Sequence, residues 1–135
     1  MQKKLKSVLL IDDDEPTTFM YKMVIGESGC AANIQIAHGG EEALGLLHQT
    51  DQDSSPYPDL VFLDINMPRM DGWEFLEQLQ AVKLNDGKYP VIVMLSTSLN
   101  PDDEIRARRI NEVSAYRHKP LTVDMVRGIV AEYFH

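Results

Sequence analysis

The chain has 135 residues, with 13 Lys plus Arg against 21 Asp plus Glu, for a formal net charge of −8 at pH 7. That length suits one domain, and 44% hydrophobic with 25% charged residues is a globular composition rather than a disordered one. The acid excess argues against nucleic acid or an anionic membrane as a partner, since both are held by Lys and Arg, and the single cysteine, Cys30, excludes an internal disulfide framework and fits a reducing compartment.

The basic N-terminus, Met1 to Lys6, leads into an apolar run, Val8 to Ile11, that is too short for an export signal and stops at Asp12, Asp13 and Asp14. Uninterrupted apolar runs mark strands covered on both faces, and this is the first of three; the others are Leu60 to Leu63 and Val91 to Leu95. Asn33 to Ala37 alternates and reads as an edge strand, and Ser114 to Arg117 is short enough for the opposite edge. Val91 to Leu95 is too short to span a bilayer, so the chain reads as soluble and cytoplasmic.

Between these runs the period becomes helical. Phe19, Met20, Met23 and Val24 form one stripe, Ala43, Leu44 and Leu47 a second, Phe75, Leu76 and Leu79 a third, and Met125, Val126, Ile129, Val130 and Tyr133 the last. Pro16, Asp71, the Asn100-Pro101 pair and Thr122 supply start signals, and Asp14 and Glu15 read as capping acids. The helix from Pro101 to Asn111 is weakly amphipathic and carries Arg106, Arg108 and Arg109. Two polar loops, Gln49 to Pro58 and Asn85 to Pro90, precede strands. Five alternations of strand and helix with no composition break imply one α/β domain over residues 1–135: a doubly wound parallel sheet with right-handed crossovers.

In an open α/β sheet ligands sit beyond the carboxyl ends of the strands. The residues that follow the strands are Asp12, Asp13 and Asp14, then Asp64, then Ser96, Thr97 and Ser98, and finally His118, Lys119 and Pro120. Crowded carboxylates repel one another and resist ionising, and a divalent cation relieves the repulsion. An all-oxygen set without paired His or Cys favours Mg2+, with Mn2+ as a substitute. A lysine adds a point charge for a phosphate oxygen and a hydroxyl adds a donor, so the set is equipment for phosphoryl transfer, with a carboxylate as candidate nucleophile. His38, His48 and His118 show no metal spacing and read as bystanders, and Asp59 reads as a water-facing strand-start residue.

From Val8 to Phe134 the sequence resembles the response-regulator receiver domain of two-component signalling. The most specific stretch runs from Pro58 to Gly72: an apolar strand, Asp64, then Met67-Pro68 and Asp71-Gly72. Asp12-Asp13 and Lys119-Pro120 fall in the family's order. The resemblance implies a five-stranded flavodoxin-like sheet with strand order 2-1-3-4-5, the order found in the chemotaxis member of that family. It implies Asp64 as phosphoacceptor, Asp13 as a direct Mg2+ ligand, Asp12 acting on the metal through water, and the Asn66 backbone carbonyl as a further ligand. It implies Ser96 as the hydroxyl that bonds the phosphoryl group and Lys119 as the lysine that pairs with it. Ser96 is preferred over Thr97 because it directly follows Leu95 and strand alternation points residue 97 the other way. It implies a cis Lys119–Pro120 bond, and Tyr116 as a switch aromatic that turns inward once Ser96 moves. Its partners would be a histidine kinase or phosphotransfer protein as donor and a downstream protein that reads the surface of the fourth helix, fifth strand and fifth helix. The state would be monomeric or weakly dimeric through that surface, in a stand-alone receiver that catalyses only its own phosphorylation and dephosphorylation.

Two rival readings remain. A haloacid-dehalogenase-type Mg2+-dependent phosphatase also places Asp-x-Asp after its first strand, but Pro16 stands where that pattern wants Thr or Val. A receiver-like binding module without phosphorylation is disfavoured by the complete set of acids, hydroxyl and lysine.

Overall fold

The computed structural model describes residues 4–49, 58–81 and 90–134. Most of the two polar loops expected before the third and fourth strands lies outside the described residues, as does the side chain of His48. The elements alternate as β1 (Val8–Ile11), α1 (Glu15–Ser28), β2 (Ile34–Ala37), α2 (Gly40–Gln49), β3 (Leu60–Asp64), α3 (Gly72–Ala81), β4 (Val91–Ser96), α4 (Pro101–Arg108), β5 (Ala115–His118) and α5 (Val123–Tyr133). All pairings are parallel and the strand order is β2-β1-β3-β4-β5. The three uninterrupted apolar runs are therefore the three central strands, and the alternating and short runs are the edges. Among the described residues no helix is long and apolar enough to cross a membrane.

Side-chain alternation along the strands divides the core between the two faces of the sheet. Leu9, Ile11, Val61, Leu63, Ile92, Met94 and Tyr116 face α2, α3 and α4, where Leu47, Phe75, Leu76 and Ala107 meet them. Val8, Leu10, Leu60, Phe62, Val93, Leu95 and Ala115 face α1 and α5, where Tyr21, Ile25, Val126 and Ile129 meet them. Because every strand runs the same way, all five end on one edge of this double core.

The helix starts follow the sequence signals. Asp14 caps α1 by accepting from the Thr17 amide at 3.1 Å, Asn100 caps α4 from Asp102, and Thr122 caps α5 from Met125. Asp71 and Glu74 bond each other's amides at the start of α3, a reciprocal capping box. Gly29 closes α1 at φ 70°, the left-handed conformation that glycine adopts without Cβ strain.

One stripe is misplaced by the sequence reading. Phe19, Met20 and Met23 are 68%, 53% and 61% exposed, and only Val24 is partly buried. The buried ridge of α1 is instead Thr18, Tyr21, Ile25 and Ser28. Polar residues can occupy it because their hydroxyls bond within the helix: Thr18 Oγ1 donates to the Glu15 carbonyl at 3.0 Å and Ser28 Oγ to the Ile25 carbonyl at 2.5 Å. Asp59 also differs from expectation. It is half-buried and its carboxylate accepts the Lys6 amide at 2.7 Å, tying the N-terminal segment to the sheet. Strand β5 begins one residue later than expected, since Ser114 bonds Ile92 from just outside the ladder.

The corrected phase of α1 is testable by denaturant unfolding. Ile25→Ala should cost about 2–5 kcal/mol through the cavity it leaves. Phe19→Ser should stay within about 0.5 kcal/mol of the unaltered protein, as an exposed substitution does. A large loss from Phe19→Ser would restore the apolar stripe as the buried one.

Candidate functional site

The register of the sheet brings the chemically active residues to one edge. Ile11 pairs with Leu63, so Asp12 and Asp64 follow as neighbours at the ends of β1 and β3. Asp64 pairs with Leu95 and Ser96 with His118, which sets Ser96 beside the acceptor strand and Lys119 just beyond β5. Asp12 is held by two bonds: its amide donates to the Ala37 carbonyl at 3.1 Å and its Oδ1 accepts the Asp14 amide at 3.0 Å. Asp12, Asp13 and Asp64 each offer a carboxylate oxygen within 4.8 Å of the others. Asp12 and Asp64 are buried, at 5% and 6% exposure, and Asp13 is exposed. Lys119 Nζ lies 2.9 Å from Asp64 Oδ1 and 3.1 Å from Asp12 Oδ2. The Lys119–Pro120 bond is cis.

Burial is the largest influence on Asp64 and raises its pKa above the ordinary carboxylate value; Asp12 and Asp13 push the same way, and the Lys119 bond only partly offsets them. Burial works to lower the pKa of Lys119, but its bonds to Asp64 and Asp12 outweigh this, and the net direction is upward. The lysine thus stays an ammonium at neutral pH, while Asp64 carries its negative charge at a cost that one lysine does not cover. An all-carboxylate donor set in that condition suits a hard divalent cation.

The remaining residues named from sequence fall around this centre. Ser96 is 1% exposed, and its Oγ accepts the Ser98 amide at 2.8 Å, while Thr97 is exposed. The Ser96 carbonyl accepts the Lys119 amide at 2.9 Å, so β4 directly anchors the lysine's backbone. Asn66 is exposed two residues beyond Asp64. Tyr116 is already buried, at 9% exposure, in the cluster that contains Ala107 of α4. The inward turn expected of it therefore has no outward starting point here. Among the described residues its hydroxyl has no hydrogen-bond partner, and its ring meets His118 edge-on, with centroids 5.6 Å apart.

Three features escape the sequence reading. Gly72 donates to the Ile65 carbonyl at 2.8 Å, and a Cβ there would sit 2.9 Å from the Asp64 carbonyl oxygen, so the first turn of α3 presses on the end of β3. The next residue, Trp73, lies 4.3 Å under the Arg106 guanidinium of α4. The third is Tyr21, buried on α1 in the apolar cluster that also holds Leu121, two residues after Lys119. The Asp-Gly pair signals the first; nothing in a single sequence signals the other two, which depend on contacts between distant elements.

Residues 8–130 match the family model described as response regulator receiver domain. The chain is 32% identical over 130 residues to the response regulator Rcp1 of Synechocystis, covering 92% of this chain and 86% of that protein. It is 28% identical to sporulation initiation phosphotransferase F of Bacillus subtilis, covering 95% and 93% of the two chains. Among solved structures it is similar to a two-component response regulator from Cytophaga hutchinsonii, with a TM-score of 0.88, 29% identity and coverage of 96% and 97%.

The electrostatic balance predicts opposite effects on stability from its two sides. The raised Asp64 pKa means that its contribution is full below the ordinary carboxylate pKa and is lost as pH rises through the shifted value. Asp64→Asn should therefore raise the thermal midpoint at pH 7, with the gain vanishing as the pH falls into the carboxylate range. Lys119 is favoured as an ammonium, so Lys119→Met should lower the midpoint at pH 7 by stranding two buried carboxylates. Midpoints across pH 3–8 check both signs, and a destabilised Asp64→Asn at pH 7 would contradict the balance.

Proposed function

Because the chain belongs to the response regulator receiver domain family of two-component signalling, we propose that it accepts a phosphoryl group on Asp64 from a protein phosphohistidine. The observation that carries this reading is the pairing of buried Asp64 with Lys119 at 2.9 Å, next to two further acids. The Asp64 oxygen forms a bond to phosphorus as the bond from phosphorus to the histidine nitrogen breaks, and the freed imidazole keeps the electron pair and takes a proton. Lys119 then exchanges part of its contact with the carboxylates for an oxygen of the phosphoryl group, placing positive charge where negative charge develops. Ser96 Oγ, which accepts from the Ser98 amide, retains its own proton for a phosphoryl oxygen.

The site fits Mg2+, with Mn2+ as a substitute: the three carboxylates are hard oxygen donors, and their mutual repulsion is what a divalent cation removes. Asp13 and Asp64 would hold it, with Asn66 through its carbonyl and Asp12 through water. When bound, the cation neutralises charge on the transferring group. The exposed Phe19, Met20 and Met23 on α1, the helix that follows Asp12 to Asp14, offer an apolar seat bordering the site for the donor protein.

Ser96 and Tyr116 would carry the signal. Drawing Ser96 Oγ to the phosphoryl group takes an acceptor from the Ser98 amide, shifting the segment before α4 toward the unpartnered Tyr116 hydroxyl. The surface of α4, β5 and α5 then changes for a downstream protein, or for a second copy in a weak dimer. The single-domain reading of residues 1–135 is supported by the coverage of 93% of the Bacillus phosphotransferase. A haloacid-dehalogenase-type phosphatase is not favoured, since the matched family and the Asp64–Lys119 pair both point elsewhere.

Intact-mass measurement with Mg2+ and a small acyl-phosphate donor tests the reading. One phosphoryl group should be gained, abolished by chelation and by Asp64→Asn. With a phosphorylated histidine-phosphotransfer protein as donor, Phe19→Glu should slow transfer while leaving the small-donor rate unchanged. Persistent labelling of Asp64→Asn would contradict the assignment.

A further inference from the structure

Helix α4 is lightly held. Ala107 is its one buried residue, and among the described residues its arginines make one ion pair, Arg108 with Glu104 inside the helix itself. That is the profile of an element that moves at low cost. Between α4 and α3 runs an open groove of about 650 Å³, lined by Trp73 and Leu76 from α3, by Ile105 and Arg106 from α4, and by Arg109 and Ile110 just past that helix. Arg106 is exposed and crosses the groove, its guanidinium 4.3 Å from the centre of the Trp73 ring. Trp73 is buried in the cluster that holds Ile65, Ala107 and Tyr116, so the ring is the fixed platform and the arginine the movable partner. The platform is joined to the acceptor strand without slack. Gly72, the residue before Trp73, donates to the Ile65 carbonyl at 2.8 Å, and a Cβ on it would stand 2.9 Å from the Asp64 carbonyl oxygen. Contacts packed this closely transmit a displacement rather than absorb it, so a shift of the Asp64 backbone reaches Trp73.

We propose that the Trp73–Arg106 stack is a latch on α4, made in the arrangement that pairs Lys119 directly with the Asp64 carboxylate and weakened when a phosphoryl group on Asp64 shifts the first turn of α3. The inference rests on the receiver reading above and adds a route to α4 separate from Ser96 and Tyr116. A guanidinium 4.3 Å from a ring centroid is at stacking contact, so displacing either partner weakens the pair. The stack therefore favours the arrangement in which it is made, and a group that selects another arrangement works against it. The relation is reciprocal: removing the latch eases the competing arrangement and tightens the binding of whatever selects it. A cation–π pair at an exposed site corresponds to about a two- to five-fold change in such an equilibrium.

The test is calorimetric titration with beryllium trifluoride, a mimic of the phosphoryl group, at saturating Mg2+. Arg106→Ala, an exposed substitution, should tighten binding by about two- to five-fold. Arg109→Ala takes the same charge from the same groove but not from the ring, and should leave the affinity unchanged. In a Trp73→Leu background, Arg106→Ala should have no further effect, because both act through one contact. Should that buried change unfold the protein, the comparison of Arg106→Ala with Arg109→Ala decides alone. Trp73 is the sole tryptophan, so its emission reads the latch independently. Saturation should shift the maximum to longer wavelength in the unaltered protein, and Arg106→Ala should show that shift beforehand. An unchanged or weakened affinity in Arg106→Ala, or an equal gain from Arg109→Ala, overturns the latch and leaves the receiver reading standing. An unaltered protein that binds no beryllium trifluoride overturns the receiver reading and the latch with it.

Discussion

Three carboxylates share a few ångströms at the end of this sheet, two of them buried, and the ammonium of Lys119 stands between the two buried ones. Much of the molecule serves that arrangement. Burial makes the charge on Asp64 costly, and Lys119 offsets only part of that cost, which leaves the site suited to a divalent cation. A second fixed lysine would remove that demand for a cation.

The parallel sheet provides this placement because every strand delivers its last residue to the same edge. β1 supplies Asp12, β3 supplies Asp64, β4 supplies Ser96, and β5 leads into Lys119. The same edge is tied to the helices beside it. Ser96 holds the Ser98 amide ahead of α4, and Gly72 lets α3 press on the Asp64 backbone. Trp73, the residue after Gly72, is stacked by Arg106 of α4. A change at Asp64 therefore has two physical connections to α4, one through β4 and one through α3. Among the described residues the Tyr116 hydroxyl, in the cluster that also holds Ala107 of α4, has no hydrogen-bond partner.

The strands are legible in the sequence because double-sided burial leaves uninterrupted apolar runs, and the site is legible because ligand chemistry gathers after such runs; the family resemblance then assigns roles that spacing alone leaves open. What escapes lies where side-chain type and environment part company. Helix α1 buries Thr18, Tyr21 and Ser28 while exposing Phe19, Met20 and Met23, so hydrophobic periodicity selects the wrong face. The intrahelical bonds of the Thr18 and Ser28 hydroxyls make the inversion possible, and they leave no mark in an apolar-polar pattern. The resemblance leads one to expect Tyr116 outward until activation, yet it is buried in a cluster that it shares with residues of α3 and α4. The packing of Tyr21 in one cluster with Leu121 and the Trp73–Arg106 contact likewise join elements whose pairing only the folded sheet decides.

The central claim is that Asp64, raised in pKa and faced by Lys119, is the atom-level acceptor among three adjacent aspartates. Borohydride reduction of the phosphorylated protein, followed by peptide mass mapping, reads this directly, because reduction of an acyl phosphate leaves a permanent mark on the side chain that carried it. The account predicts the mark at Asp64 alone. A mark at Asp12 or Asp13, or phosphate retained on a histidine with no reducible acyl group, would contradict it.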